Sequence, residues 1–359
     1  MNPTAGSENS IRLPWSPCLR PGSSRLSGPV PSAPSRGPGI RIRSSPMSGQ
    51  ECNETRRNFL GRIGPACAAV AIAGSGCALP SGRPLRAGRL KQSVAGWCFM
   101  NQGPRWDVET LARYASRLGC VALELVDPEH WDTLRRHGLI CAATRSHSFV
   151  RGMNNPRHWP ECHDKLRTAI EATLAAGFPN VMTFTGLVDT SHEPNGSKVE
   201  APEGIENCVR GYKEIVGAAE RAKVTLILEP LNTRDATPMK GHPGYLGDHV
   251  EECVEIIRRV GSPALKLLFD VYHVQIMDGD LIRRIRELRE LIAHVQVAGC
   301  PGRGPLGAGQ EIQYRAVMQA LVDVGYDGYV GHEWIATGDA WQQLSEAFRI
   351  CDVESAPPK

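Results

Sequence analysis

Twelve cysteines are scattered along this chain without a single C-x-x-C pair, which removes the zinc-ribbon and thioredoxin-type readings on spacing alone. No uninterrupted apolar run is long enough to span a bilayer, and 41% apolar with 22% charged residues is an ordinary globular composition. The bulk of the chain also lacks a basic surplus. Residues 1–90 hold twelve arginines, no lysine and three acids (Glu8, Glu51, Glu54), a balance of +9, so the overall +3 leaves −6 for the remainder. A mildly acidic body argues against nucleic acid as a partner, because phosphate binding needs a basic face on the folded domain.

The front of the chain reads as a leader. Residues 1–46 are rich in Ser, Pro, Arg and Gly without apolar periodicity, so they are expected to stay disordered. Met47 is read as the true start of translation. After it, Thr55-Arg56-Arg57-Asn58-Phe59-Leu60 and the short apolar stretch Ile63–Gly74 resemble a twin-arginine export signal. Residues 47–90 are therefore read as signal and linker, with the twin-arginine export machinery as a partner and a periplasmic or otherwise exported destination. Gly74-Ser75-Gly76-Cys77 loosely resembles a lipoprotein cleavage box, which raises a lipid anchor at Cys77.

From Lys91 the pattern changes to short apolar runs alternating with amphipathic stretches. Strands are predicted at Gln92–Cys98, Val121–Val126, Leu139–Thr144, Asn180–Thr185, Thr225–Leu231, Leu265–Val271, Ala293–Ala298 and Tyr329–Trp334. Continuous Val/Ile/Leu runs of this kind suit a parallel sheet covered on both faces. Helices are predicted at Asp107–Leu118, His163–Ala176, Ile205–Ala222, Leu246–Val260, Leu281–Leu291 and Tyr314–Val324. Cys98, Cys141 and Cys300 are read as small buried apolar groups inside strands. Eight strand–helix units point to an α/β fold of the (β/α)8 TIM-barrel type over residues 91–351, with 352–359 as a tail. A doubly wound open sheet would carry a Gly-rich phosphate turn after its first strand, and Met100-Asn101-Gln102-Gly103 is not one.

In such a barrel, chemistry is built at the C-terminal ends of the strands. Four consecutive strands end in Glu229, Asp270, Gln296 and Glu333. Three carboxylates embedded in adjacent apolar strands would be costly without a compensating cation. With the Gln296 amide oxygen they form an oxygen-only shell of charge −3. That shell favours one divalent metal, Mn²⁺ or Mg²⁺, and admits Co²⁺ or Zn²⁺.

The segments EPLNTRD, FDVYHVQIMDGD, HVQVAGCPGR and GYDGYVGHEW closely resemble those of the hydroxypyruvate isomerase family, a branch of the xylose isomerase-like barrels. The resemblance spans about Lys91 to Cys351. It implies that Glu229, Asp270, Gln296 and Glu333 ligate the metal, and Gln296, where related epimerases commonly carry His, points to the hydroxypyruvate branch. The implied activity converts hydroxypyruvate to 2-hydroxy-3-oxopropanoate (tartronate semialdehyde) by proton transfer through a cis-enediolate, with Glu229 and Glu333 moving the proton. His273 is expected to donate to the developing oxyanion. Arg303 is expected to clamp a substrate carboxylate bidentately, and His147 and, less directly, His242 to contact substrate.

Two other functions fit the same residues: a ketose 3-epimerase or inosose dehydratase acting on an exported sugar or polyol derivative, and a non-catalytic sugar-binding barrel. Export is unusual for hydroxypyruvate chemistry and keeps the substrate open. A nucleic-acid-cleaving barrel would need a His-rich zinc cluster and a basic surface, neither of which is present. Pairing of exposed barrel helices makes a homo-oligomer an expectation of the resemblance.

Overall fold

The runs of β-branched and leucine residues become a ring of parallel strands because each is apolar on both faces, leaving no side for water. The computed structural model describes residues 88–193 and 196–353. The leader, the twin-arginine motif, Met47 and Cys77 lie outside the described residues, as do residues 354–359 of the tail. Within the described residues, Asp352 accepts a hydrogen bond from the Gly88 amide (2.7 Å) and Val353 is buried, so the tail begins packed against the barrel entry.

Among the described residues eight strands form one sheet: β1 (Lys91–Ala95), β2 (Ala122–Glu124), β3 (Ile140–Cys141), β4 (Asn180–Thr183), β5 (Thr225–Leu228), β6 (Leu265–Asp270), β7 (Ile292–Val297) and β8 (Tyr329–His332). All pair in parallel in the order β3-β2-β1-β8-β7-β6-β5-β4. The ring closes between β3 and β4 through one bridge, Thr144 to Val181. There Thr144 N donates to Asn180 O (3.0 Å) and Met182 N to Thr144 O (2.9 Å). Side chains reinforce this seam: Asn180 Nδ2 donates to Ala142 O (2.8 Å) and Thr144 Oγ1 to Asn180 O (3.1 Å). The architecture is the (β/α)8 barrel expected from the strand–helix alternation.

The helices are α1 (Gly96–Met100), α2 (Val108–Leu118), α3 (Trp131–Arg136), α4 (Trp159–Ala176), α5 (Ala201–Ala222), α6 (Val250–Val260), α7 (Val271–Met277), α8 (Leu281–Leu288), α9 (Tyr314–Asp323) and α10 (Ala340–Cys351). In α2, Asp107 caps the first turn by accepting from Thr110 N (2.7 Å), and Leu111, Ala112, Ala115 and Leu118 form the buried stripe. Gly119 ends that helix at φ 97°, a left-handed stop that costs glycine little. No described helix is long and apolar enough to cross a membrane.

Several boundaries differ from the sequence expectation. The strand predicted to run to Cys98 ends at Ala95, because α1 turns the chain across the barrel mouth, so Cys98 is helical. Cys300 lies in the loop after β7 rather than in a strand, and Cys141 is in β3. All three thiols are buried and unbridged, as small apolar groups would be. The helix predicted from Leu246 begins at Val250, since Gly247 at φ 79° holds the preceding segment out of helical geometry.

Candidate active site

The C-terminal ends of β5 to β8 deliver the four expected side chains to one place. Asp270 closes β6 and pairs in register with Gln296 on β7, which pairs with Gly331 on β8. Side chains alternate along a strand, so Glu333, two residues beyond Gly331, returns to the same face. Glu229 follows β5 directly. All four are at most 3% exposed.

Their hydrogen bonds show how each is aimed. Asp270 caps α7 by accepting from Tyr272 N with Oδ1 (2.8 Å), which leaves Oδ2 for the barrel mouth. Glu333 accepts from Trp97 Nε1 on one oxygen (2.7 Å) and from Arg303 Nη2 on the other (2.6 Å). Oε1 of Glu229 and Oε1 of Gln296 are buried with no partner among the described residues. Burial, and then the charges of Glu333 and Asp270, push the Glu229 carboxyl well above its ordinary range. Burial raises Glu333 to about 7, against the pull of Arg303, and raises Asp270 in the same direction. These are the marks of acids crowded together without enough positive charge.

Glu229, Asp270 and His273 can each offer a ligand atom within 4.8 Å of the others. The hydrogen bonds of His273 separate it from the two acids. Its Nδ1 accepts from the backbone N of Asn232 (3.0 Å) and lies 2.7 Å from the Asn232 side-chain nitrogen. Asn232 cannot turn its oxygen there, because Nδ2 also donates to Lys240 O (2.8 Å) while Oδ1 accepts from Asp235 N (3.1 Å). With Nδ1 accepting, the neutral ring carries its hydrogen on Nε2. Burial, with Arg303 beside it, holds the ring well below its ordinary pKa and therefore neutral. His273 thus points an N–H donor, not a lone pair, into the site. Of the four expected ligands, Glu229 and Gln296 keep a buried, unpartnered oxygen, Asp270 lies within ligand distance of Glu229, and Glu333 is held by Trp97 and Arg303.

Arg303 lies deeper than a substrate clamp on a surface loop would. The Gly299–Gly304 bridge folds the post-β7 loop inward, and Arg303 adopts φ 52° to enter the mouth, where it is 3% exposed. Nη2 reaches Glu333 Oε2 and, at 3.4 Å, Asp270 Oδ2; Nη1 donates to Met239 O (3.0 Å) and Nε to Glu333 O (3.3 Å). The rings of Trp97 and Tyr272 lie 5.3 and 5.7 Å from the guanidinium carbon. In the structure the fork expected to clamp a substrate carboxylate is engaged by the protein's own acids, Glu333 and Asp270, as their counter-charge. His147 is similarly occupied. Nδ1 lies 3.1 Å from the carbonyls of Ser148 and Arg151, Nε2 lies 2.9 Å from Thr183 Oγ1, and burial lowers the ring to about 4. The His242 ring lies 4.2 Å from that of Phe149, tilted by 58°, and 6.0 Å from that of His273, its pKa lowered to about 3 by burial and Arg303.

Sequence reasoning missed Glu124 on β2. It closes β2, fully buried, accepting from Ser93 Oγ and from Gln296 Nε2 (3.0 Å). The signal was available, since Glu124 is a carboxylate in an apolar strand like the other three. Gly331 makes room for it: a Cβ there would overlap the Glu124 carboxylate. Gly331→Ala is expected to destabilise the barrel by about 1–3 kcal/mol, as overpacking of a filled interior does. A urea melt should show a lower midpoint at unchanged slope, and an unaltered midpoint would mean that Glu124 has room to retreat.

A parallel eight-strand barrel with carboxylates converging at its C-terminal mouth defines a class of barrel enzymes whose site is made of strand ends. The chain belongs to the xylose isomerase-like TIM barrel family, whose sequence model matches residues 109–351. A human protein provisionally named hydroxypyruvate isomerase is 33% identical over 237 residues, 66% of this chain and 78% of that protein. A mouse protein of the same provisional name is 35% identical over 182 residues, 50% of this chain and 62% of that protein. A 2-oxo-tetronate isomerase from Cupriavidus necator is 36% identical over 170 residues, 46% of this chain and 62% of that enzyme. The chain thus spans less than two thirds of the mouse and Cupriavidus proteins. Among solved structures, an AP endonuclease family 2 protein from Brucella melitensis superposes with a TM-score of 0.61 at 24% identity, covering 71% of this chain and 97% of that one. That likeness shows the shared fold.

Proposed function

We propose that the chain is a divalent-metal-assisted isomerase of short 2-oxo acids bearing an adjacent hydroxyl, with hydroxypyruvate as the leading substrate. The observation that carries this reading is that Glu229, Asp270, Gln296 and Glu333 are all buried at the ends of β5 to β8 and that Glu229 and Gln296 each keep an unpartnered oxygen there. The names of the human and Cupriavidus relatives support the substrate class. The oxygen-only donors favour Mn²⁺ or Mg²⁺. When bound, such an ion would polarise the carbonyl and hydroxyl oxygens of the substrate.

The remaining steps belong to the protein. One of Glu229 and Glu333 removes the C3 proton of hydroxypyruvate, and the proton is returned at C2. The hydroxyl proton moves to the other oxygen, so that atoms balance between ketose and aldose forms. Burial raises Glu333 when the site holds no cation; a bound divalent ion would favour its carboxylate form and so leave it ready to take the proton. His273 Nε2–H donates to the oxygen that gains charge in the enediolate. Trp97 and Arg303 hold the Glu333 carboxylate in orientation.

Purified protein assayed with hydroxypyruvate, a 2-oxo-tetronate, ketohexoses and inososes, with and without Mn²⁺, tests the reading. Turnover of the oxo acids that depends on added metal is the expected result. Preference for a ketohexose or an inosose would replace it with the epimerase or dehydratase reading, and binding without turnover of any sugar would favour a binding protein.

A further inference from the structure

We propose that Glu124 is a positioning residue whose carboxylate turns the Gln296 amide so that its oxygen, not its nitrogen, faces the metal site. The inference rests on the reading of Gln296 as a ligand. The two ends of a glutamine amide have nearly the same shape, so packing alone does not choose between them. A metal distinguishes them completely, because the oxygen offers a lone pair and the NH2 offers only hydrogens.

Glu124 makes the choice. A carboxylate accepts and does not donate, so the atom at 3.0 Å from Glu124 Oε2 must be the Gln296 nitrogen. The amide oxygen is then left on the other side, buried and without a partner. Three further strands hold Glu124 itself: Ser93 on β1 donates to Oε1, His294 on β7 brings Nε2 within 3.1 Å of the same oxygen, and β8 supplies the side-chain-free Gly331. Burying a carboxylate at the barrel centre is costly, and a Leu would fill that floor without the cost. The hydrogen bond to an ionised acceptor also polarises the amide and strengthens its oxygen as a donor to a cation, as partners behind ligands do.

The test measures Mn²⁺ binding to the purified full chain by isothermal titration calorimetry, with folding checked by circular dichroism. In Glu124→Gln the new amide accepts either end of Gln296, so orientation is no longer enforced, and Mn²⁺ affinity should fall about 10–100-fold. Gln296→Ala should weaken binding as well, and adding Glu124→Gln to it should bring no further loss. The exchanged pair Glu124→Gln with Gln296→Glu should recover affinity, since the amide then at position 124 can donate to the carboxylate at position 296 and leave that group's second oxygen for the ion. A role in packing alone predicts no such recovery. If Glu124→Gln binds Mn²⁺ as the parent does while Gln296→Ala does not, the positioning role is wrong and the ligand reading stands. If Gln296→Ala binds normally, the ligand reading itself fails. Should Glu124→Gln not fold, the exchanged pair decides: folded and binding supports the proposal, while folded without binding, or unfolded, overturns it.

Discussion

Glu333→Gln should leave the barrel folded and lower kcat on the proposed oxo-acid substrate by about 10²–10⁴-fold, the range that a positioned acid or base contributes. The substitution keeps volume and shape, and Trp97 Nε1 can still donate to the amide oxygen in place of the carboxylate. What disappears is the charge: Arg303 loses its closest acid, and no group at position 333 can take a proton near neutral pH. With Mn²⁺ held saturating, so that the weakened ligand at position 333 does not empty the site, KM should move less than kcat, because the remaining loss acts in the proton transfer. Glu229→Gln should behave similarly, as Glu229 is the other carboxylate of the pair. Steady-state kinetics on both variants, with near-parental thermal unfolding as the control, provide the check. Undiminished turnover in Glu333→Gln would sink the two-glutamate mechanism.

The second expectation concerns pH and metal together. The folded protein holds Glu333 at about 7, above the ordinary 4.5, and shifts Glu229 and Asp270 upward too. An acid whose pKa is raised on folding binds its proton more tightly in the folded state, so deprotonation works against folding. Its stabilising contribution is complete below about 4.5 and is lost as pH rises through about 7. Metal-free protein should therefore lose stability across that window, in contrast to a protein with salt-bridged acids. A cation bound only to the folded, deprotonated site reverses the trend. At 100 times its Kd it adds about 2.7 kcal/mol, or roughly 5 °C or more in Tm for a chain of this size. Differential scanning fluorimetry with Mn²⁺ and with a chelator should show a gap near zero at pH 5 that opens by pH 8. A gap of equal size at both ends would show that the three acids are not crowded.

The eight strands were legible because β-branched and leucine runs buried on both faces leave a plain record, and β4 to β8 begin within a residue of the expected positions. The misread boundaries share a cause. The strand expected to reach Val271 stops one residue earlier, because Asp270 caps Tyr272 and the chain turns into α7. Trp97 and Cys98 extend an apolar strand on paper, and in the barrel they roof the mouth as α1. The helix α10 was missed although Asp339 caps it through Gln342 N, since no motif drew attention beyond Trp334. The four strand-end residues could be found because each stands out chemically within its own strand. The supports behind them could not: that Asn232 fixes the hydrogen of His273, that Arg303 neutralises Asp270 and Glu333, and that Glu124 meets Gln296 are relations across 41, 33, 30 and 172 residues of sequence. Register and closure of the ring create them, and neither is written in any one segment.

The closure of that ring has a mechanical consequence. Between β3 and β4 a single bridge and a few side-chain bonds stand where full ladders join most other neighbours. Thermal breathing concentrates where backbone pairing is sparsest. Around eight staves, that gap lies diametrically across from the join of β7 and β8, which carry Gln296 and Glu333. The barrel is joined like a split collar, with Gln296 and Glu333 mounted on the arc farthest from the slit and Glu229, which follows β5, only one strand away from it.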